Sequence, residues 1–348
     1  MPQPSNKHIA LDLFCGSGAV SLGLKKAGFD VVGAVDFDAG ACQTYRANHP
    51  TVRLLEQDIR LVDPEDFADL IPGKLDLLVV CAPCQPFSSQ NRHKSNKDDR
   101  RDLVGESKKF IIRFEPSLVF LENVPGLAST KIFGGFQRWL KKSGYAVAEP
   151  MRVDAANLGV AQRRSRMILV AAKGVPLSVA TNIIQRRKRT VEGLIKDLPE
   201  PPVGRALPEN DPLHFARKHS ELNIERLRHV PEDGGGRESL PFELQLACHK
   251  KAKKSSFSDT YGRMKWKEVA PTLTTGCTDI TRGRYAHPVQ NRAITLREAA
   301  RLQSFPDNYV FHGTAGQIAT QIGNAVPPAM MRTIARSLKA ALTATRVV

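Results

Sequence analysis

His8-Ile9-Ala10-Leu11-Asp12-Leu13-Phe14-Cys15-Gly16-Ser17-Gly18 decides the fold. Its first seven residues are almost continuously apolar, as in a strand buried on both faces, and they run straight into a glycine turn. Val20, Leu22, Leu24 and Ala27 follow on one helix, which Gly28 is placed to end. Strand, glycine turn and helix open a doubly wound α/β domain. The turn lets a ligand approach the backbone, and the helix N-terminus faces that ligand. The spacing is not the G-x-G-x-x-G of a dinucleotide site.

Further strand ends extend the pattern. Residues 30–35 read as a strand ending in Asp36-Phe37-Asp38, about 20 residues past the glycine turn, where a carboxylate takes ribose hydroxyls in such folds. Phe37 is placed to lie against a purine ring. Gln57-Asp58-Ile59 reads as a third strand end, with Asp58 able to accept from an exocyclic amine. Each carboxylate alone reads equally well as a helix cap or a surface turn. Their order points to an adenosine site without a pyrophosphate cradle.

The short apolar run Leu75-Asp76-Leu77-Leu78-Val79-Val80 leads into Cys81-Ala82-Pro83-Cys84-Gln85-Pro86-Phe87-Ser88. Ligands gather outside the carboxyl ends of the strands in an open α/β sheet, so Cys84 is placed as a nucleophile. Residues 88–101 form a polar loop long enough to close over a substrate. Ser117-Leu118-Val119-Phe120-Leu121 is another buried strand and ends in Glu122-Asn123-Val124. Glu122, flanked by Leu121 and Val124, is expected to hold a proton near neutral pH through desolvation, although a helix cap is the plainer reading. Residues 133–143 have helical spacing, and 145–154 and 166–172 read as strands. In Gln162-Arg163-Arg164-Ser165-Arg166, Gln162, Arg164 and Arg166 would share one side of an extended chain.

The 348 residues carry 51 Lys and Arg against 35 Asp and Glu, a net charge of +16 that points to a polyanionic partner. The six cysteines show no disulfide framework, no run is long enough for a transmembrane helix and the N-terminus is polar, so a cytoplasmic protein is expected. From about residue 176 the chain becomes basic and turn-rich, with Gln185-Arg186-Arg187-Lys188-Arg189, Gly234-Gly235-Gly236 and Lys250-Lys251-Ala252-Lys253-Lys254. Charge concentrated there suits phosphate contacts. Thr295 caps a helical pattern over 295–302, and 329–342 is a helical tail.

An adenosine pocket, a thiol, a carboxylic acid and an arginine pair together suit methylation of cytosine at its 5-position with S-adenosyl-L-methionine. Carbon 5 is too weak a nucleophile until a thiolate adds to carbon 6 and makes the ring an enamine. A protonated carboxyl at N3, Glu122, relieves the charge, and a guanidinium at O2, assigned to Arg164 with Arg166 beside it, binds the ring. The target lies inside a duplex, so the base must be flipped out.

These motifs, with Arg297-Glu298-Ala299-Ala300-Arg301-Leu302-Gln303-Ser304-Phe305-Pro306-Asp307 and Gly323-Asn324-Ala325-Val326-Pro327, resemble those of the bacterial DNA cytosine-5 methyltransferases in their order. The resemblance covers the chain except for about 199–290, where that family varies. It implies a Rossmann-like S-adenosylmethionine-dependent catalytic domain, 1–198 plus 291–348, and a smaller, irregular target-recognition domain, 199–290. Phe14, Gly16, Gly18, Asp36, Phe37, Asp58, Ile59, Pro83, Asn324 and Val326 would then hold the cofactor, which leaves as S-adenosyl-L-homocysteine. The family usually has glutamate at the position of Asp36 and often tryptophan at that of Phe37. Gln85, Ser88, Arg92, Thr272, Leu273, Thr274, Arg282 and Arg284 become the expected DNA contacts. No metal is implied. The expected partner is double-stranded DNA, bound by a monomer, with any cognate restriction endonuclease acting separately.

Three rival readings exist. Cys81-Ala82-Pro83-Cys84 has the C-x-x-C spacing of redox and zinc sites, but Pro86 argues against the helix of a redox motif, and His93 stands alone as a further ligand. A DNA-binding regulator would need neither Cys84 nor Glu122. The same chemistry on transfer RNA fits less well with the long basic region.

Overall fold

A computed structural model describes residues 7–83, 103–204, 211–250 and 259–345. Its strands are β1 (His8–Leu13), β2 (Phe29–Asp36), β3 (Arg53–Glu56), β4 (Leu77–Val80), β5 (Leu118–Asn123), β6 (Ala146–Val147), β7 (Met151–Asp154) and β8 (Ser165–Ala172). Its helices are α1 (Ala19–Ala27), α2 (Ala39–Asn48), α3 (Ser107–Phe114), α4 (Lys131–Lys142), α5 (Leu177–Thr181), α6 (Glu192–Ile195), α7 (Glu221–Arg228), α8 (Ala247–Lys250), α9 (Leu296–Leu302), α10 (Ala315–Asn324) and α11 (Pro328–Ala344). The chain packs as two compact units.

The first unit, residues 1–158, 165–186 and 326–348, holds one sheet in the order β3-β2-β1-β4-β5-β8-β6, with β7 also on β8. The strands from β3 to β5 are parallel, and β8 runs antiparallel to β5. The chain reverses direction between β1 and β4, the switch point at which such sheets bind ligands. β1, β4 and β5 are buried on both faces: Ala10, Leu11, Leu77, Leu78, Leu118 and Phe120 are all 0% exposed. Their apolar runs were readable for this reason. Gly28 caps α1 in the left-handed region, and Thr130 caps α4 through its side chain.

The C-terminal helix α11 returns to pack on α1 and α5. The approach is close enough that a Cβ on Gly23 would lie 2.6 Å from Met331 Cβ and 2.8 Å from the Pro328 carbonyl.

The second unit, residues 159–164 and 187–325, contains α6 to α10 joined by irregular chain. Its described residues pair only in isolated bridges, such as Gln162 with Ala270 and Arg263 with Ala286. The Val191 and Glu192 amides donate to the Glu268 and Trp266 carbonyls, and Arg301 pairs with Asp197. Packing thus draws 187–198 and 291–325 into this unit, beyond the 199–290 span expected for target recognition. Thr295 closes a full capping box with Glu298 at the start of α9.

Candidate active site

Four parallel strands, β1, β2, β4 and β5, end at one edge of the sheet, and antiparallel β8 begins there. Its register sets Glu122 across from Ile168 and Asn123 across from Met167, which brings the next residue, Arg166, to the end of β5. Arg166 Nε lies 2.9 Å from Glu122 Oε1, with the glutamate 6% exposed. The guanidinium favours the charged carboxylate. The protonated Glu122 expected from burial therefore meets an opposing charge in the free protein.

Asn123 has a part that the sequence reading missed. Its Nδ2 donates to the Ala82 carbonyl at 3.0 Å, while its Oδ1 accepts from the Val124 amide at 2.9 Å. The end of β5 is thereby fastened to the chain two residues before Cys84. Cys84 itself, Gln85, Ser88, Arg92 and the rest of the polar loop lie outside the described residues. Cys81 follows β4 and is half-buried; burial, then the charge of Glu122, pushes its thiol well above the ordinary value. Such a thiol stays protonated and unreactive.

At the cofactor end, Phe14, Gly16 and Gly18 take φ values of 61, 52 and 89. A Cβ on Gly16 would meet nothing within 4 Å, so the turn is open to a ligand, and Gly18 caps α1 without a side-chain hydrogen bond. Asp36 fastens this turn: Oδ2 accepts from the Gly16 amide at 2.8 Å and Oδ1 from the Asp38 amide at 3.0 Å. Burial raises its proton affinity, and these amides oppose the rise. Phe37 leaves a large ring 67% exposed at the end of β2, a surface suited to stacking. The open turn, carboxylate and ring fit a nucleoside with a charged tail. Asp58 follows β3, and the Arg60 guanidinium beside it holds its carboxyl below the usual range. Ile59 is buried, and its carbonyl accepts from Lys109 Nζ at 2.7 Å. Pro83 is half-buried. Among the described residues no three His, Cys, Asp or Glu side chains group as metal ligands.

In the second unit, Arg164 is 2% exposed and its guanidinium donates to the carbonyls of Leu273 at 3.1 Å, Gly323 at 2.9 Å and Asn324 at 3.4 Å. Arg164, expected at the base, braces backbone in this structure, and the guanidinium beside Glu122 belongs to Arg166. Leu273, expected at the DNA, is 0% exposed and packs its side chain in the interior. Thr272 donates to the Arg163 carbonyl, Thr274 bonds the Tyr285 hydroxyl, and Arg284 donates to the carbonyls of Gly234, Gly235 and Arg263. Arg282 is exposed beside Asp279. Asn324 is exposed at the end of α10, and Val326 is buried in the first unit.

Residues 9–340 match the family model of the C-5 cytosine-specific DNA methylases. The chain belongs to this family. Similar methylases include the type II methylase M.HgiDII of Herpetosiphon aurantiacus, 38% identical over 340 residues and 94% of each chain. The type II methyltransferase M.PspPI of a Psychrobacter species is 32% identical over 97% of this chain and 80% of its own. A prophage-encoded E. coli protein assigned as a DNA modification methyltransferase has the same fold, with a TM-score of 0.75 at 23% identity over 97% of this chain and 100% of its own. Spodoptera frugiperda DNMT2 shares it with a TM-score of 0.64 at 16% identity, over 96% and 100%. As a member of this methylase family the chain is a DNA cytosine-5-methyltransferase with a Rossmann-like α/β sheet, and membership implies S-adenosylmethionine as methyl donor. No helix among its described residues is long and apolar enough to cross a membrane.

Proposed function

We propose that this methylase acts on a cytosine flipped out of a specific duplex sequence, through a covalent bond between Cys84 and carbon 6 of the base. The observation that carries the reading is the Glu122–Arg166 pair at the edge of the sheet, with Asn123 fastening the chain that leads to Cys84. S-adenosylmethionine supplies an electrophilic methyl group, held by Phe14, Gly16, Gly18, Asp36, Phe37, Asp58, Ile59 and Pro83, with Asn324 and Val326 assigned by resemblance. In the reaction the Cys84 thiolate adds to carbon 6, the Glu122 carboxyl protonates N3, and Arg166 donates to O2. An incoming carbonyl that engages Arg166 weakens its hold on Glu122, which leaves burial free to raise the carboxyl's proton affinity. Carbon 5 takes the methyl group, loses its proton, and Cys84 is eliminated.

Target recognition is assigned to 199–290, with Thr272 and Arg282 as the side chains best exposed for DNA. The protein works as a monomer on double-stranded DNA, and a cognate endonuclease, where one accompanies it, acts separately. The test is duplex DNA carrying 5-fluorocytosine, incubated with protein and S-adenosylmethionine. A covalent complex at the cytosine identified by bisulfite sequencing is expected. Methylation of that cytosine with no trapped complex overturns the mechanism.

A further inference from the structure

α2 is joined beneath the first turn of α1 at two buried points. His49, the C-cap of α2 and 2% exposed, places Nε2 3.0 Å from the Gly18 carbonyl. A carbonyl only accepts, so Nε2 carries the proton in this contact. Burial, then the charge of Lys25, pushes His49 down to about 4, and the ring stays neutral in the working range. The same Gly18 oxygen accepts the first bond of the helix, from the Leu22 amide at 2.9 Å. Both of its lone pairs are thus engaged.

The second point lies further along the same turn. Ser21 Oγ donates to Asp12 Oδ2 at 2.6 Å and sits 2.7 Å from the Tyr45 hydroxyl, and all three residues are 0% exposed. The Tyr45 and His49 rings meet with centroids 4.7 Å apart. β1, α1 and α2 are therefore joined under the glycine turn by directional polar contacts. Apolar side chains would fill that space without fixing orientation, whereas these directional bonds favour one geometry.

We propose that Tyr45 and His49 are positioning residues for the methyl donor, acting through Ser21 and the Gly18 carbonyl to hold the turn in its binding conformation. This rests on the reading of the Phe14–Gly18 turn as the cofactor site. Both residues are buried, so their route to the site is through the turn. Gly18 is free to rotate its peptide where another residue is not, and the second bond on its carbonyl removes that freedom before the ligand arrives.

Calorimetric binding of S-adenosylhomocysteine to the full chain tests this without requiring turnover. His49→Phe keeps a ring beside Tyr45 and removes the donor; His49→Gln restores an N–H group. His49→Phe is expected to weaken binding about tenfold, the equivalent of one buried hydrogen bond, and His49→Gln to recover most of the loss. Tyr45→Phe weakens binding in the same direction. In turnover, KM for S-adenosylmethionine rises more than kcat falls. Each variant is assayed well below its own melting temperature, so that a general loss of stability leaves the affinity unmoved. Wild-type affinity in His49→Phe, or in Tyr45→Phe alone should His49→Phe not fold, overturns the proposal. So does a His49→Gln protein as weak as His49→Phe. A wild-type protein that binds no S-adenosylhomocysteine instead removes the cofactor reading beneath it.

Discussion

The two units satisfy their backbones in different ways. In the first, eight strands bond to one another, so the sheet's own ladder pairs most of the buried amides and carbonyls, leaving side chains at its edge for other tasks. In the second, whose described residues form β-pairs only as isolated bridges, turn and loop bonds between backbone groups are supplemented by buried arginines that reach further carbonyls. Arg263 is 1% exposed and donates to the carbonyls of Val230, Leu227, His287 and Gln290 and to Asn291. Arg226 reaches the Leu244 carbonyl, and Arg292 forms a two-bond pair with Glu298. A planar fork of five donors is well suited to irregular chain. The lesson concerns charge: a basic composition measures attraction to DNA only after these internal guanidiniums are set aside.

Arg164 and Arg166 reduce the comparison to two side chains. One braces three carbonyls in the second unit; the other pairs with Glu122 at the edge of the sheet.

The largest expected effect tests the edge of the sheet. Cys84→Ala should lower methylation by at least about a thousandfold and give no adduct with 5-fluorocytosine DNA. Residual turnover near the wild-type rate would remove covalent catalysis from that edge. Glu122→Gln and Arg166→Met should each lower kcat by about 10²–10³, the usual cost of a lost proton donor or charge-stabilising contact. Arg164→Met should show itself chiefly in a lower melting temperature. If the two arginine variants exchange these signatures, the comparison is reversed.

Arg263→Met should destabilise the second unit by about 3 kcal/mol or more in denaturant titration, because several carbonyls are left without donors. A cost below about 0.5 kcal/mol, typical of surface substitutions, would mean that the buried guanidinium is not the brace described.

The smallest effect concerns pH. Burial pushes Asp12 up to about 7, with the Ser21 bond opposing and the Asp36 charge adding to the rise. A carboxyl raised on folding contributes stability in full below its unfolded value of about 4, and that contribution is lost as pH climbs to the folded value. Asp12→Asn does not titrate. Its melting temperature relative to wild type should therefore climb between pH 4 and 7, by on the order of 5 °C, and level off above. A difference that stays constant across this window would show that Asp12 does not titrate there.

Much of the first unit was legible because its signals are local. The apolar runs of β1, β4 and β5, the Gly16–Gly18 turn and the Gly28 end of α1 each depend on neighbours within a few residues. Asp36 was found at the end of its strand, although its bond to the Gly16 amide, 20 residues away, was not foreseen. The burial of Leu273 was not legible, because a threonine-rich loop gives no sign of which residue turns inward. His49 and Tyr45 carry no motif, and only the packing of α2 against α1 brings them under the turn.

The sequence by itself determined the core strands, their doubly wound order and the family, since strand periodicity, turn chemistry and ordered motifs are written in adjacent residues; it read 145–154 as one strand where the structure has the two short strands β6 and β7. The tertiary structure alone decided what each charged side chain does. Alternation placed Arg164 and Arg166 on one side of an extended chain, but their partners lie far from them in sequence. Glu122 reaches Arg166 through antiparallel pairing, and Leu273 and Gly323 reach Arg164 through the packing of the second unit. A guanidinium's role is set by which oxygen stands within about 3 Å of it, and that distance is a product of folding.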